Sequence, residues 1–210
     1  GTTVGSLSST DPDSGDTFTY TLVSGDGDTD NTSFAISGAN LNTNTALDYE
    51  TKNSYSIRVR TTDNSGSFYE ESFTITVNDL NETPTDISLD TLNVNENVSS
   101  GTTVGSLSST DQDSSDTFTY TLVSGDGSTD NASFAISGAN LNTNTALDYE
   151  TKSSYSIRVR TTDNSGSTYE KSFTITVNDL NETPTDISLD TLNVDENVSL
   201  GTTVGSLSST

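Results

Sequence analysis

The 210-residue chain contains no cysteine, methionine, tryptophan or histidine. Without cysteine there is no disulfide framework, no thiol nucleophile and no thiolate metal site. Without histidine the many serines have no imidazole base, and no Gly-x-Ser-x-Gly elbow occurs. Basic residues are also scarce: 7 Lys and Arg stand against 31 Asp and Glu, a formal charge of −24. That balance excludes a nucleic-acid partner, whose phosphates require a basic surface, and disfavours an anionic membrane surface. No apolar run is long enough to span or insert into a bilayer. Opening in mid-pattern at Gly1, the chain is expected to be a piece of something longer, so a missing export signal carries no information. The absence of thiols fits bacterial secretion, although a cytosolic chain could lack them too.

Only 28% of residues are apolar, a fraction that would suit disorder if they were scattered. They are instead gathered in short alternating runs of Val, Ile, Leu, Phe and Tyr, the pattern of strands with one buried face. The chain also repeats itself. GTTVGSLSST occurs at 1–10, 101–110 and 201–210. Residues 1–100 and 101–200 differ only at Pro12/Gln112, Gly15/Ser115, Asp28/Ser128, Thr32/Ala132, Asn53/Ser153, Phe68/Thr168, Glu71/Lys171, Asn95/Asp195 and Ser100/Leu200. Solenoid repeats run roughly 20–50 residues, so this longer period is one domain per repeat. Near-identity of neighbours points to recent duplication and a long array.

The expected organisation is a repeat lacking its first strand (1–84), a complete repeat (85–184) and the first strands of a third (185–210). In the complete repeat, Ile87, Leu89, Leu92 and Val94 mark strand A and Val104–Ser109 strand B. Phe118, Tyr120 and Leu122 alternate with threonines, and Phe134, Ile136 and Leu141 flank a hairpin at Ser137-Gly138. Tyr155, Ile157 and Val159, then Phe173, Ile175 and Val177, mark the last two strands. Seven short strands separated by Asp/Asn/Ser/Gly turns predict an all-β fold of tandem Greek-key sandwiches.

Acidic residues gather where strands end. Asp148 and Glu150 lie two apart in Leu-Asp-Tyr-Glu, which on a strand aims both carboxylates one way and leaves Leu147 and Tyr149 for the core. Asp111 and Asp113 repeat that spacing after strand B, Glu96 follows strand A, and Asp179, Asn181 and Glu182 follow the last strand. Without a cation such carboxylates would repel one another. Hard oxygen donors with no His or Cys suit calcium.

Glu96-Asn97, Asp111-Gln112-Asp113, Leu147-Asp148-Tyr149-Glu150, Thr162-Asp163-Asn164-Ser165-Gly166 and Asn178-Asp179-Leu180-Asn181-Glu182-Thr183-Pro184 resemble the motifs of cadherin-like repeats of large bacterial surface proteins. The resemblance covers the whole chain and implies a cadherin-like, immunoglobulin-like sandwich with three calcium ions at each junction. At the Pro84 junction it implies that Asp48, Glu50, Asp79, Glu82 and the Leu80 carbonyl hold two ions. Asn81, the Thr83 carbonyl, Asp111, Asp113 and Asp163 would hold the third, with Asp113 bridging. At the Pro184 junction it implies Glu96, Asp148, Glu150, Asp179, Asn181 and Glu182. Asp11, Asp13 and Asp63 are the first-repeat counterparts of Asp111, Asp113 and Asp163. Glu82 departs from the family's usual aspartate, and its longer arm changes affinity without removing a ligand.

Other signals resolve to ordinary structure. Asp26-Gly27-Asp28-Thr29-Asp30 has the look of a calcium loop, but its counterpart at 126–130 loses the middle carboxylate and neither has a twelfth-position glutamate. A hairpin turn is expected there. Asn81 and Asn181 stand in glycosylation sequons but are read as calcium ligands. Thr17-Phe18-Thr19 is read as strand alternation, and Lys52 and Lys152 as loop residues, not isopeptide partners. Paired carboxylates at domain ends form no cleft for glycoside hydrolysis, so no enzyme is expected. The function expected is a calcium-rigidified spacer or stalk in a giant extracellular adhesin or filament, its partners being neighbouring repeats and other copies head-to-tail. The alternative is an adhesive module for polysaccharide or for like domains on other cells. The missing tryptophan argues against a sugar platform, with Tyr69 and Tyr169 the aromatic candidates for exposure.

Overall fold

Alternation of β-branched and aromatic residues with Ser, Thr and Arg generates strands throughout, and the computed structural model, which describes residues 1–209, is all-β. Helical geometry among the described residues is confined to single 3-10 turns at Asn31–Ser33 and Asn131–Ser133. The chain divides into two units. The first comprises Gly1–Pro84 with the segments Asp111–Thr117 and Asn164–Ser167; the second holds the remainder.

The first unit contains β1 (Thr3–Ser6), β2 (Thr19–Leu22), β3 (Phe34–Ser37), β4 (Asn40–Thr43), β5 (Ser54–Thr62) and β6 (Phe68–Thr76). They form two three-stranded sheets, ordered β1-β4-β3 and β2-β5-β6, around Phe34, Leu41, Tyr55, Ile57 and Val59.

The second unit contains β7 (Asp86–Leu89), β8 (Asn93–Asn95), β9 (Thr103–Thr110), β10 (Thr119–Leu122), β11 (Phe134–Ser137), β12 (Asn140–Thr143), β13 (Ser154–Thr162) and β14 (Thr168–Asn178). Two four-stranded sheets, ordered β11-β12-β9-β7 and β10-β13-β14-β8, make the sandwich. The expected strand A is therefore split between sheets: β7 pairs antiparallel with β9, and β8 pairs parallel with β14. Leu92, assigned to that strand by alternation, sits in the crossing and is exposed.

The core follows the pleat. Tyr155, Ile157, Val159 and Thr161 point inward from β13 opposite Phe173, Ile175 and Val177 of β14, and Ile157 pairs directly with Phe173. Phe134 meets the Tyr155 ring edge-on at 5.8 Å. Buried Thr161 keeps its hydroxyl satisfied by Ser109 Oγ at 2.7 Å, a polar pairing that an apolar pattern does not announce. Residues after Pro184 form one small hairpin, β15 (Ile187–Leu189) antiparallel to β16 (Leu207–Ser209), with exposed side chains.

Candidate metal centre

Three groups of carboxylates converge within the units. In the first unit Glu50, Asp79, Glu82 and Asp113 each bring an oxygen within 4.8 Å of the others. Glu50 comes from the turn after β4, Asp79 and Glu82 from the segment after β6, and Asp113 from the loop after β9. The Glu82 N–H donates to Asp113 Oδ2 at 2.8 Å. Glu82 Oε2 and Asp111 Oδ2 are buried with no hydrogen-bond partner. Burial, together with the charges of Glu50, Asp113 and Asp79, pushes the Glu82 carboxyl above the ordinary carboxylate range. Gln112 extends its amide to this group, donating to Asp48 Oδ1 at 3.2 Å and Glu50 Oε2 at 3.3 Å.

The second unit gathers Glu96, Glu150, Asp179 and Glu182. Glu96 is 1% exposed and fully engaged: Oε1 accepts from the Leu180 N–H at 2.6 Å and Oε2 from the Tyr149 N–H at 2.9 Å. Those two bonds hold its carboxyl below the usual range despite burial. Glu150 is pushed the other way. Its own backbone N–H lowers the carboxyl, but burial and the charges of Glu96, Glu182 and Asp179 outweigh that. Asn97, at φ 59, donates from Nδ2 to Glu182 Oε1 at 2.9 Å.

A third group in the first unit joins Asp11, Asp16 and Asp63. Asp63 Oδ1 accepts from the Ser65 and Ser67 N–H groups, each at 2.8 Å, which fixes the loop between β5 and β6. Asp16 was absent from the sequence-derived ligand set. It lies outside the Asp-x-Asp spacing and is brought in only by the turn at residues 12–15, whose Gly15 adopts φ 103.

Other expected ligands are placed by local bonds. Asp48 and Asp148 are in turns, not on strands. Asp48 accepts from the Thr51 N–H and hydroxyl at 3.1 and 3.0 Å, and Asp148 repeats the pattern with Thr151. The i, i+2 argument for a strand therefore fails at Leu-Asp-Tyr-Glu: Leu147 is buried, but Tyr149 is exposed. Asp13 donates its N–H to Asp11 and joins no group. Asn81 and Asn181 direct their amide nitrogens to Ser167 Oγ and the Glu182 carbonyl, each at 3.1 Å. Leu80 and Thr83 have exposed side chains, and Asp163 is buried just beyond β13. The loop at 26–30 gathers no such group among the described residues: Asp30 pairs with Lys52, and the Asp26 carbonyl accepts from Ser72 Oγ at 2.7 Å.

The donor set fits calcium. It offers only hard oxygens, it leaves Glu82 Oε2 buried and unpartnered inside the cluster, and a cation would offset its mutual repulsion.

Comparison with known proteins agrees with the architecture. The cadherin domain family matches residues 1–78 and 90–178. Protocadherin Fat 2 of Rattus norvegicus is 35% identical over 147 residues, 66% of this chain, and its Mus musculus counterpart is equally similar. The chain spans 3% of the length of these relatives. Among solved structures, the protocadherin GammaB4 extracellular domain is 26% identical, with a TM-score of 0.66 over 100% of this chain and 35% of its own. Human protocadherin-24 EC1-2 shares the fold at 20% identity, with a TM-score of 0.68 over 85% of this chain and 89% of its own. The chain belongs to the cadherin-domain family.

Proposed function

We propose that these repeats are spacer modules of a long extracellular bacterial adhesin or surface filament, stiffened by calcium where one repeat meets the next. Cadherin domains are extracellular adhesion domains, and the chain is not an enzyme. The observation that carries the reading is the convergence of Asp113, from the second repeat of the sequence, with Glu50, Asp79 and Glu82 of the first. In a chain of charge −24, four converging carboxylates repel one another, and a bound cation would offset that repulsion. Bound calcium would neutralise the group and resist movement of the linker Thr83-Pro84-Thr85. Asp111 and Asp163 would belong to the same calcium-binding set by family resemblance. In the second repeat Glu96, Glu150, Asp179 and Glu182 would hold the equivalent ions. With only nine differences between the 100-residue repeats, the sequence supports a long array of like domains.

Small-angle scattering in millimolar calcium and in EDTA, with circular dichroism as a check on the sandwiches, tests this. Chelation should produce the profile of a flexible chain while the β signal persists. Identical profiles in both buffers would remove the junction model.

A further inference from the structure

In the repeat at 85–184 the entering and leaving segments of chain are joined to each other. The chain enters through β7, crosses between the sheets at residues 90–92 and continues as β8, which runs parallel to β14, the strand by which it leaves. The crossing is held in place. Asp90 Oδ1 accepts from the Ser106 N–H at 2.7 Å, and the backbone passes so close over Gly105 that a Cβ there would lie 2.6 Å from that oxygen and 3.0 Å from the Thr91 carbonyl.

Parallel pairing decides what a lengthwise pull does to these strands. Tension on Thr85 draws β8 backwards along its own axis, and tension on Pro184 draws β14 forwards. The strands must slide past each other, which loads all the bonds between them together, whereas a hairpin peeled from one end loads them in turn. Those bonds are concentrated in three pairs, Thr176↔Asn93, Val177↔Val94 and Asn178↔Asn95. The Thr176 N–H donates to the Leu92 carbonyl at 2.9 Å and the Glu96 N–H to the Asn178 carbonyl at 3.2 Å. Side chains thicken the seam. Asn178 Nδ2 donates to Asn95 Oδ1 at 2.9 Å and to Asn93 Oδ1 at 3.4 Å, and the Leu180 N–H, beyond the last pair, donates to Glu96 Oε1 at 2.6 Å. Val94 and Val177 are buried beneath it.

We propose that the β8–β14 seam is a shear clamp, the element whose slip limits unfolding of this repeat when the chain is pulled along its length. The direction of load rests on the stalk reading; the clamp itself is made of protein–protein bonds and needs no metal. Forced unfolding is governed by the unfolding rate, so only contacts already broken when the strands slip contribute to the barrier. Asn178, Asn93, Asn95 and Val94 are such contacts. Ile157 is not: it sits on β13 opposite Phe173, in packing that survives the slip. Resistance to load and equilibrium stability are therefore carried by different side chains of one sandwich.

Optical-tweezer unfolding of the 210-residue chain, held by handles at its two ends in EDTA, tests this. Unfolding of residues 85–184 is recognised by the release of roughly 300 Å of chain beyond the folded length. Asn178→Ala, which deletes the amide bridges to Asn93 and Asn95, should raise the unfolding rate at fixed force about two- to tenfold, and Val94→Ala should raise it further. Ile157→Val should lower the urea midpoint yet leave the rate under force within about twofold. Asn178 is exposed, so its variant keeps the core whole and reads the clamp even if Val94→Ala folds poorly. A rate under force unchanged by Asn178→Ala, or raised equally by Ile157→Val, would overturn the proposal. In EDTA the result does not depend on calcium, so failure here is distinct from failure of the junction model.

Discussion

The Glu82 backbone N–H donates to Asp113 Oδ2 at 2.8 Å across 31 residues of chain. The linker that ends the first repeat is thereby tied to a carboxylate of the second, and both residues sit in the group that includes Glu50 and Asp79. The protein–protein bond and the proposed ion site thus depend on the same side chain.

Asp113→Ala should remove much of the calcium-dependent rise in thermal stability. A ligand at about 100 times its Kd stabilises a folded state by about 2.7 kcal/mol, and that increment should shrink in the variant. Asp126→Ala, in a loop outside the acidic groups, should leave it unchanged. Differential scanning calorimetry with and without calcium makes the comparison; equal loss in both variants would contradict the assignment.

Strand position predicts opposite outcomes for identical residues. Ile87→Ala opens a cavity in a full core and should cost about 2–5 kcal/mol. Ile187→Ala, at 74% exposure, should stay within about 0.5 kcal/mol in dilute solution. Urea denaturation of the two variants checks both.

Acid should weaken the sheet through Glu170. Its carboxylate accepts from Arg158 Nε and Arg160 Nε, each pairing at 2.8 Å, and these guanidinium groups hold it below the ordinary range. A lowered folded value means the contribution is present above the unfolded pKa of about 4.3 and is lost as pH falls through the folded value. The melting temperature of Glu170→Gln should therefore lie below that of the native chain near neutrality and converge with it in acid. A constant difference down to the lowest pH would contradict this.

Much of this was legible in the sequence, for specific reasons. Tyr155, Ile157 and Val159 alternate without interruption, so their strand and its buried face follow from the pleat. The split of strand A did not, because Leu92 keeps the alternation going through a sheet crossing that only tertiary packing defines. At the site, Glu50, Asp79, Glu82 and Asp113 converge, and Asp48 and Asp148 form turn hydrogen bonds with Thr51 and Thr151. A spacing of two implies a shared face only on a strand, and Leu-Asp-Tyr-Glu leads into a turn. Asp16 was missed because a glycine turn, not sequence spacing, brings it to Asp11 and Asp63.

Backbone geometry at the loop beside Arg158 gives a further expectation. Gly127 has φ +82, and a Cβ there would lie 2.5 Å from Ser172 Oγ. Gly138 has φ +60 with open space around it. Gly127→Ala should cost about 1–3 kcal/mol and exceed Gly138→Ala, where only the left-handed conformation, about 1–2 kcal/mol, is penalised. Thermal melts of the two variants rank them; the reverse order would contradict the packing described.

Isothermal titration of calcium into the 210-residue protein tests the central claim most directly. The account predicts saturable binding in the micromolar-to-millimolar range of extracellular oxygen sites, lost or weakened when Asp113 or Glu82 is replaced by alanine. Titration heats no larger than dilution, or binding unchanged in both variants, would contradict it.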